Sequence, residues 1–188
     1  VVPRNQYIEV PVNPEQVPRE QGTIEFWFRP DFSTTDLHME RPANSTHRQQ
    51  LFRLNPILIS HDINPDSNGS SGRYNSSLLN VALMKSKDSA LYPVTMFLRA
   101  GKWYHVAVTW KVDGKDSNVR VFLNGYEGTY ASSRDGVPRE LAPADLAPAG
   151  RVLRLGSGVS VSGFDAPAPV VFDDGGVWRS FCDSAQFP

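Results

Sequence analysis

Aromatic and charged side chains alternate with apolar ones along two short segments, a pattern that suits the recognition of a sugar. A sugar ring presents an apolar C–H face and a rim of hydroxyls, and proteins meet these with flat aromatic rings and nearby hydrogen-bonding groups. The two segments are Thr23–Arg29 and Trp103–Lys111. The polar-facing set comprises Glu25, Trp27, Arg29, Trp103, His105 and Thr109. If the segments are neighbouring strands of one sheet, these side chains form one surface, with Trp27, Trp103 and His105 as the main ligand-binding candidates.

Loop residues provide a second group of candidates, because a loop is less constrained by the fold than a strand. Two long connections, Asp31–Gln50 and Asp62–Ser77, carry basic and aromatic side chains. In them we select Arg48, Arg73 and Tyr74 as ligand-binding candidates. The alternative is that they are solvated loop residues without a ligand.

The sequence lacks the motifs of familiar enzyme classes. Retaining glycoside hydrolysis needs two carboxyl groups about 5–5.5 Å apart, which alternate acidic residues on one strand face can supply because they are about 6.6 Å apart at Cα. None of the seven Glu residues has an acidic neighbour at that spacing. There is no Gly-x-Ser-x-Gly, Gly-x-x-x-x-Gly-Lys or His-Glu-x-x-His sequence, and Cys182 lacks a nucleophile motif. We therefore expect a protein that is not an enzyme.

Period-two patterning predicts the elements that position these residues. In Thr23–Arg29, Ile24, Phe26 and Phe28 share one face, and in Trp103–Lys111 Tyr104, Val106 and Val108 do so. Turn-forming residues separate such runs, and helix periodicity is nearly absent, which indicates an all-β protein. The predicted strands are Tyr7–Val12, Thr23–Arg29, Leu51–Leu54, Ile57–His61, Leu78–Met84, Val94–Leu98, Trp103–Lys111, Asn118–Leu123, Val152–Leu155 and Val170–Trp178. Ten strands without helices between them favour an antiparallel two-sheet sandwich.

Composition sets the remaining bounds. The chain has 188 residues, a formal net charge of -1 and 40% hydrophobic residues, so residues 1–188 are predicted to form a single domain. The near-zero charge gives no field that would attract nucleic acid, and no apolar run approaches the ~20 residues of a membrane-spanning helix. Cys182 is the single cysteine and cannot form an internal disulfide. The absence of an initiator Met leads us to expect a domain of a longer protein.

Three stretches, in this order, resemble the laminin-G-like domains of the concanavalin A-like lectin/glucanase superfamily. The first is Thr23–Pro30, and the second is Gly101–Trp110 followed by Val119–Gly125, with its Trp-Tyr-His-Val-Ala-Val-Thr-Trp and Leu-Asn-Gly sequences. The third combines Arg154-Leu-Gly with Phe172-Asp-Asp and Val177-Trp. The resemblance implies a jelly-roll sandwich of two curved antiparallel sheets. One departure is Asp174-Gly-Gly, which places two glycines where the family's strand usually continues.

The resemblance also implies a role outside the cell and, in many members, one bound Ca²⁺. Calcium takes about six to eight oxygen ligands, and Asp173, Asp174 and Asp31 are the candidate ligands. The alternative is that these carboxylates cap turns. Trp27, Trp103 and His105 occupy positions of the family pattern, so a purely structural role is the alternative for them.

The leading hypothesis is a non-catalytic recognition module, extracellular or at the cell surface, whose partner is a glycan. The first alternative is a structural or adhesion domain that contacts an extracellular protein or other domains of its parent protein. The second is a divergent polysaccharide hydrolase or lyase. The adhesion hypothesis predicts an exposed apolar patch, and the enzyme hypothesis predicts an acidic pair or a His–Tyr pair in a groove.

Overall fold

The structure is a computed structural model of the whole chain. The residues that it describes are 7–34, 47–64, 76–84, 89–113, 118–128, 152–156 and 170–178. Within these ranges, the backbone alone is described at positions 47–48, 62–64, 76–78, 83–84, 89–93, 118 and 170–178.

Eleven strands in the described residues form two antiparallel sheets. The strands are β1 (Ile8–Pro11), β2 (Gln21–Pro30), β3 (His47–Leu54), β4 (Ile57–Asn64), β5 (Ser76–Met84), β6 (Ser89–Thr95), β7 (Tyr104–Lys111), β8 (Asn118–Leu123), β9 (Tyr126–Glu127), β10 (Val152–Leu155) and β11 (Val170–Trp178). The six-stranded sheet has the order β1-β10-β3-β4-β5-β6, and the five-stranded sheet has the order β11-β2-β7-β8-β9. A 3-10 turn, Pro14–Gln16, precedes β2. The predicted all-β jelly-roll sandwich is confirmed.

The core lies between the sheets and is built from the alternate residues that the sequence pattern selects. Tyr104, Val106 and Val108 are 9%, 0% and 2% exposed, as the predicted inner face of β7 requires. The Phe26 ring stacks on Phe52 of the facing sheet at a centroid distance of 5.9 Å. Each such side chain contributes about 1.5–3 kcal/mol by leaving water, so the inner faces supply most of the stabilisation.

The bounds of several predicted strands differ in the structure, and one observed strand was not predicted. Strand β3 begins at His47 rather than Leu51, and β9 is not among the predicted strands. The predicted strand Val94–Leu98 is wrong in its bounds, because β6 ends at Thr95. Burial still alternates beyond that point, with Met96 and Leu98 buried, but the backbone of Leu98 pairs with Thr34 instead of a strand. The alternation of buried and exposed side chains therefore continues to Leu98, three residues beyond the last residue of β6.

Two irregularities preserve the faces of the sheets. Strand β3 shifts register between Gln50 and Phe52, which lets both Leu51 and Phe52 join the core. Strand β11 shifts register between Asp173 and Gly176, at the two glycines that depart from the family pattern. A bulge of this kind adds a residue without ending the strand, so β11 continues through the departure to Trp178.

Gly128 is expected to tolerate no larger side chain. It follows β9 and donates its N–H to the carbonyl of Val121 at 2.9 Å, and a Cβ added there would collide with the side chain of Val94, which is 1% exposed. Gly128→Ala should lower the free energy of unfolding by about 1–3 kcal/mol, the usual cost of overpacking. Urea denaturation measures this. Gly101→Asn is the control, because a Cβ at Gly101 meets open space and Asn tolerates its positive φ. Equal stabilities of Gly128→Ala and the wild type would contradict the prediction.

Candidate functional site

The two segments of the predicted polar surface are adjacent strands of the five-stranded sheet. Strand β2 pairs with β7 in antiparallel register, with Trp27 opposite His105 and Glu25 opposite Ala107. Directly paired residues share a face, so Trp27 and His105 lie together on the face that is turned away from the core. The sheet order therefore brings the polar-facing residues of the two segments onto one surface.

Two tryptophans on this face are partly open to solvent. Trp27 is 36% exposed and Trp103 is 40% exposed. The guanidinium carbon of Arg29 lies 5.3 Å from the Trp103 ring centroid, within the range of a cation–π contact. We call Trp27, Trp103 and Arg29 the aromatic platform. It combines flat apolar rings with the charged hydrogen-bond donors of one arginine.

His105 lies beneath the platform and supports it. Its side chain is 4% exposed and its ring centroid is 4.9 Å from that of Trp27, at an interplanar angle of 38°. The His105 Nε2 atom is 3.4 Å from Oε2 of Glu25, whose side chain is 27% exposed. A buried imidazole that contacts both a carboxylate and the indole restricts the Trp27 ring. His105 therefore has a supporting position, and it offers a ligand little surface of its own.

The Asn124-Gly125 turn fixes the backbone of His105. The Asn124 Oδ1 atom accepts a hydrogen bond from the His105 N–H at 2.9 Å, and the Asn124 N–H donates to the His105 carbonyl at 2.8 Å. Asn124 and Gly125 have φ values of 51° and 80°, which Asn and Gly adopt more readily than other residues. The sequence predicts the Asn-Gly turn but not its link to His105, because it does not reveal which strand the turn meets.

Substitutions at Asn124 separate the contribution of its Oδ1 hydrogen bond from that of its positive φ. Asn124→Gly keeps the positive φ but loses the Oδ1 acceptor, so the free energy of unfolding should fall by about 1 kcal/mol. Asn124→Ala adds left-handed backbone strain and should cost about 2 kcal/mol or more. Urea denaturation of both variants beside the wild type measures the order. An alanine variant as stable as the glycine variant would show that the φ constraint is unimportant.

Thr109 does not belong to the exposed surface, contrary to the sequence-based expectation. Thr109 and its cross-strand partner Thr23 are both 0% exposed. Ala107, which lies one pair closer to the platform, is also 0% exposed. The covered positions lie between the aromatic platform and the other end of β2 and β7, where Gln21 and Lys111 are exposed on the same face. Alternation identifies the face on which a side chain lies, but it does not show whether the rest of the chain covers that face.

The described residues place the calcium candidates only in part. Asp31 is exposed and directly follows β2, whereas Asp173 and Asp174 lie in β11, with Asp173 paired to Trp27. Four residues of extended chain span about 13 Å, so Asp31 and Asp173 need a bend in the chain to share one ion. No group of three His, Cys, Asp or Glu side chains suited to a metal occurs within the described part, which leaves out the Asp173 and Asp174 side chains. Calcium binding stays a prediction.

Of the three loop candidates, the structure describes the backbone of Arg48 alone. Arg48 belongs to β3 and pairs with Asp62, so it lies in a strand and not in the predicted loop. Arg73 and Tyr74 lie outside the described residues. Their role in ligand binding stays a prediction.

A shallow cleft lies at the other end of β2 and β7. Its volume is about 890 Å³, and its walls include Glu15, Arg19, Glu20, Lys111 and Asp113. Gln21 pairs with Lys111 there, six residues along β2 from Trp27, or about 20 Å of extended strand. The cleft has mixed charge and no aromatic residue among its described wall residues, so the aromatic platform suits a sugar better than this cleft does.

The chain belongs to the Concanavalin A-like lectin/glucanases superfamily, because its laminin G family model matches residues 3–181. This confirms the resemblance drawn from the strand motifs. No curated protein sequence is significantly similar to the chain. Whether residues 1–188 are one domain of a longer protein stays a prediction.

Solved structures show the same fold at low sequence identity. A heptameric SAP-like pentraxin from Limulus polyphemus is 15% identical, with a TM-score of 0.55, and the alignment covers 98% of this chain and 74% of the pentraxin. A Bacteroides ovatus protein that is inferred to bind carbohydrate is 16% identical, with a TM-score of 0.55. That alignment covers 97% of this chain but 44% of the Bacteroides protein. Among the described residues, no helix has the length and apolarity that crossing a membrane requires.

Proposed function

We propose that this chain is a non-catalytic, extracellular carbohydrate-recognition module that binds a glycan on the aromatic platform. The observation that carries the proposal is the pair of partly exposed tryptophans, Trp27 and Trp103, on the outer face of the five-stranded sheet. Isolated exposed aromatics are common on proteins, but here two of them stand beside Arg29 and above a buried histidine. The superfamily membership and the Bacteroides ovatus neighbour support a sugar as the ligand.

The geometry of Glu25 and His105 favours binding over catalysis. They form an acid–base pair at 3.4 Å, and a general acid or base must come within hydrogen-bond reach of the substrate. His105 is 3% exposed and contacts the Trp27 ring, which places it beneath the surface that a ligand would meet. The pair therefore suits the positioning of Trp27 better than proton transfer to a substrate.

A glycan array tests the proposal. The wild-type chain should bind a restricted set of glycans in the millimolar to micromolar range that is accessible to a small open platform. Parallel arrays with calcium and with EDTA test separately whether glycan binding needs calcium: loss of signal in EDTA supports such a requirement, and an unchanged signal contradicts it. An array with no signal in either buffer, at millimolar sensitivity, would overturn the proposed function.

One observation favours the second candidate, an adhesion domain. The edge strand β1 exposes Ile8 and Val10 by 43% and 39%, and their partners Leu155 and Leu153 pack against the core. The inner face of the six-stranded sheet thus extends into an apolar edge. Self-association through this edge should appear in light scattering at high micromolar concentration and disappear in Val10→Lys. A wild type that stays monomeric at these concentrations would contradict self-association through this edge.

A further inference from the structure

Two arginines face each other on the outer face of the six-stranded sheet. Arg154 of β10 pairs with Arg53 of β3, and on either side Arg154 pairs with Glu9 and Arg53 with Leu58. Directly paired residues share a face, so these four side chains form one row across four strands. The row lies on the sheet opposite the aromatic platform, and the sequence pattern singles out no member of it as a ligand-binding candidate.

The row carries an excess positive charge. Like charges directly opposite each other in a sheet are destabilising, and this row holds two guanidinium groups but one carboxylate. The Glu9 Oε1 atom accepts from Arg154 Nε at 2.9 Å, and both side chains are more than a third exposed. The Arg154 guanidinium also lies 5.0 Å from the Tyr7 ring centroid. Arg154 is thus drawn toward β1, on the far side from Arg53.

Arg53 is the less compensated of the two. It is half-buried, and its Nε donates to the neutral amide oxygen of Asn55 at 3.0 Å. Within the ranges that the structure describes, no carboxylate lies at ion-pair distance from Arg53. Its neighbour in the row, Leu58, is 5% exposed. The Arg53 guanidinium therefore lies at the edge of a buried part of the sheet surface, where an ionic interaction is stronger than in open solvent.

The contrast with Arg120 shows what these two arginines lack. Arg120 donates from Nε and Nη2 to the two carboxylate oxygens of Glu127, at 3.2 and 2.6 Å. The contacts of Arg53 and Arg154 described above use only the Nε–H of each guanidinium. Arginine has five N–H donors, so each of the two still has four Nη–H donors, arranged in the planar geometry that suits carboxylate and sulfate.

We propose that Arg53 and Arg154 together bind an oxyanion, the carboxylate or sulfate group of an acidic saccharide. An anion between the two side chains would offset their mutual repulsion and accept hydrogen bonds from both. The assignment goes beyond the proposed function, because it adds a separate charged subsite on the opposite sheet. It predicts that acidic saccharides interact with two faces of the sandwich, and neutral ones with the aromatic platform alone.

Nuclear magnetic resonance titration tests the subsite. The ¹⁵N-labelled chain is titrated with sodium sulfate, sodium glucuronate and glucose, each against sodium chloride at the same ionic strength. Saturable shifts of the Arg53 and Arg154 Nε–H signals are expected with sulfate or glucuronate and absent with glucose. Saturation with glucuronate alone assigns the subsite to carboxylates, and saturation with sulfate alone assigns it to sulfate esters. No saturable shift with either anion would overturn the proposal.

Three variants separate a binding role from a structural one. Arg53→Gln should weaken oxyanion binding by about tenfold or more, because a charged hydrogen-bond donor is lost. Glu9→Gln should strengthen binding by about two- to fivefold, since it removes the competing carboxylate. Arg120→Gln is the matched control and should leave binding unchanged.

Unchanged affinity in Arg53→Gln, or weakened affinity in Glu9→Gln, would contradict the subsite. The Glu9→Gln measurement decides the question even if Arg53→Gln does not fold. Failure of this titration together with a positive glycan array would reject the subsite and leave the proposed function intact.

Discussion

Trp27→Ala is expected to weaken glycan binding by about thirtyfold, which corresponds to about 2 kcal/mol, the loss typical of a tryptophan that anchors a binding surface. The indole supplies the flat apolar face of the aromatic platform and covers the buried ring of His105. Removing it takes away the stacking surface and exposes an imidazole in its place. Isothermal titration calorimetry, with the best ligand from the glycan array, measures the change.

Tyr126→Ala is the matched control for the loss of an exposed aromatic ring. Tyr126 is 80% exposed, and it pairs with Leu123, which in turn pairs with the core residue Val106. It therefore belongs to the opposite face of the five-stranded sheet from Trp27. If Trp27→Ala keeps wild-type affinity while its circular dichroism shows an intact fold, the aromatic platform is not the binding site.

Phe28→Ala is expected to lower the free energy of unfolding by about 3–5 kcal/mol, the range found for buried Phe→Ala substitutions. Phe28 is 0% exposed, and its ring centroid lies 6.1 Å from that of Phe26 and 5.7 Å from that of Tyr104. The loss combines the transfer of the ring with a cavity between the two sheets. Domains are stable by about 5–15 kcal/mol in total, so this substitution removes a large share of that stability. Urea denaturation monitored by tryptophan fluorescence gives the value.

Phe97→Ala provides the control for Phe28→Ala. Phe97 is 63% exposed, and substitutions at such positions change stability by about 0.5 kcal/mol or less. A loss at Phe28 as small as that at Phe97 would mean that the inner face of β2 does not carry the core.

Neighbouring residues of β2 thus serve different purposes. Trp27 and Phe28 are adjacent in sequence but point to opposite faces of the sheet, because side chains alternate along a strand. The expected phenotypes differ accordingly: Trp27→Ala reduces affinity in a folded protein, whereas Phe28→Ala reduces the folded fraction itself. Measuring both properties for both variants tests the whole assignment of the strand.

Local side-chain pattern by itself determines the inner and outer positions of β2 and β7. It assigns Ile24, Phe26 and Phe28 to the core, and Glu25, Trp27 and Arg29 to the opposite face, because the period of two is a property of each strand alone. The Asn-Gly turn is identifiable for the same reason, since its backbone angles are set by the residues themselves. These features, together with the family motifs, are sufficient to predict the fold class and to place Trp27 and Trp103 on the outer face.

Only the tertiary structure decides which strands are neighbours and what each outer face meets. The sequence could not show that Asn124 holds the backbone of His105, that Thr109 is covered, or that Arg53 faces Arg154 across β3 and β10. Each of these depends on the pairing of segments that are far apart in the chain. Such pairing is selected by the burial of whole sheets at once, so no local stretch of sequence contains the information that specifies it.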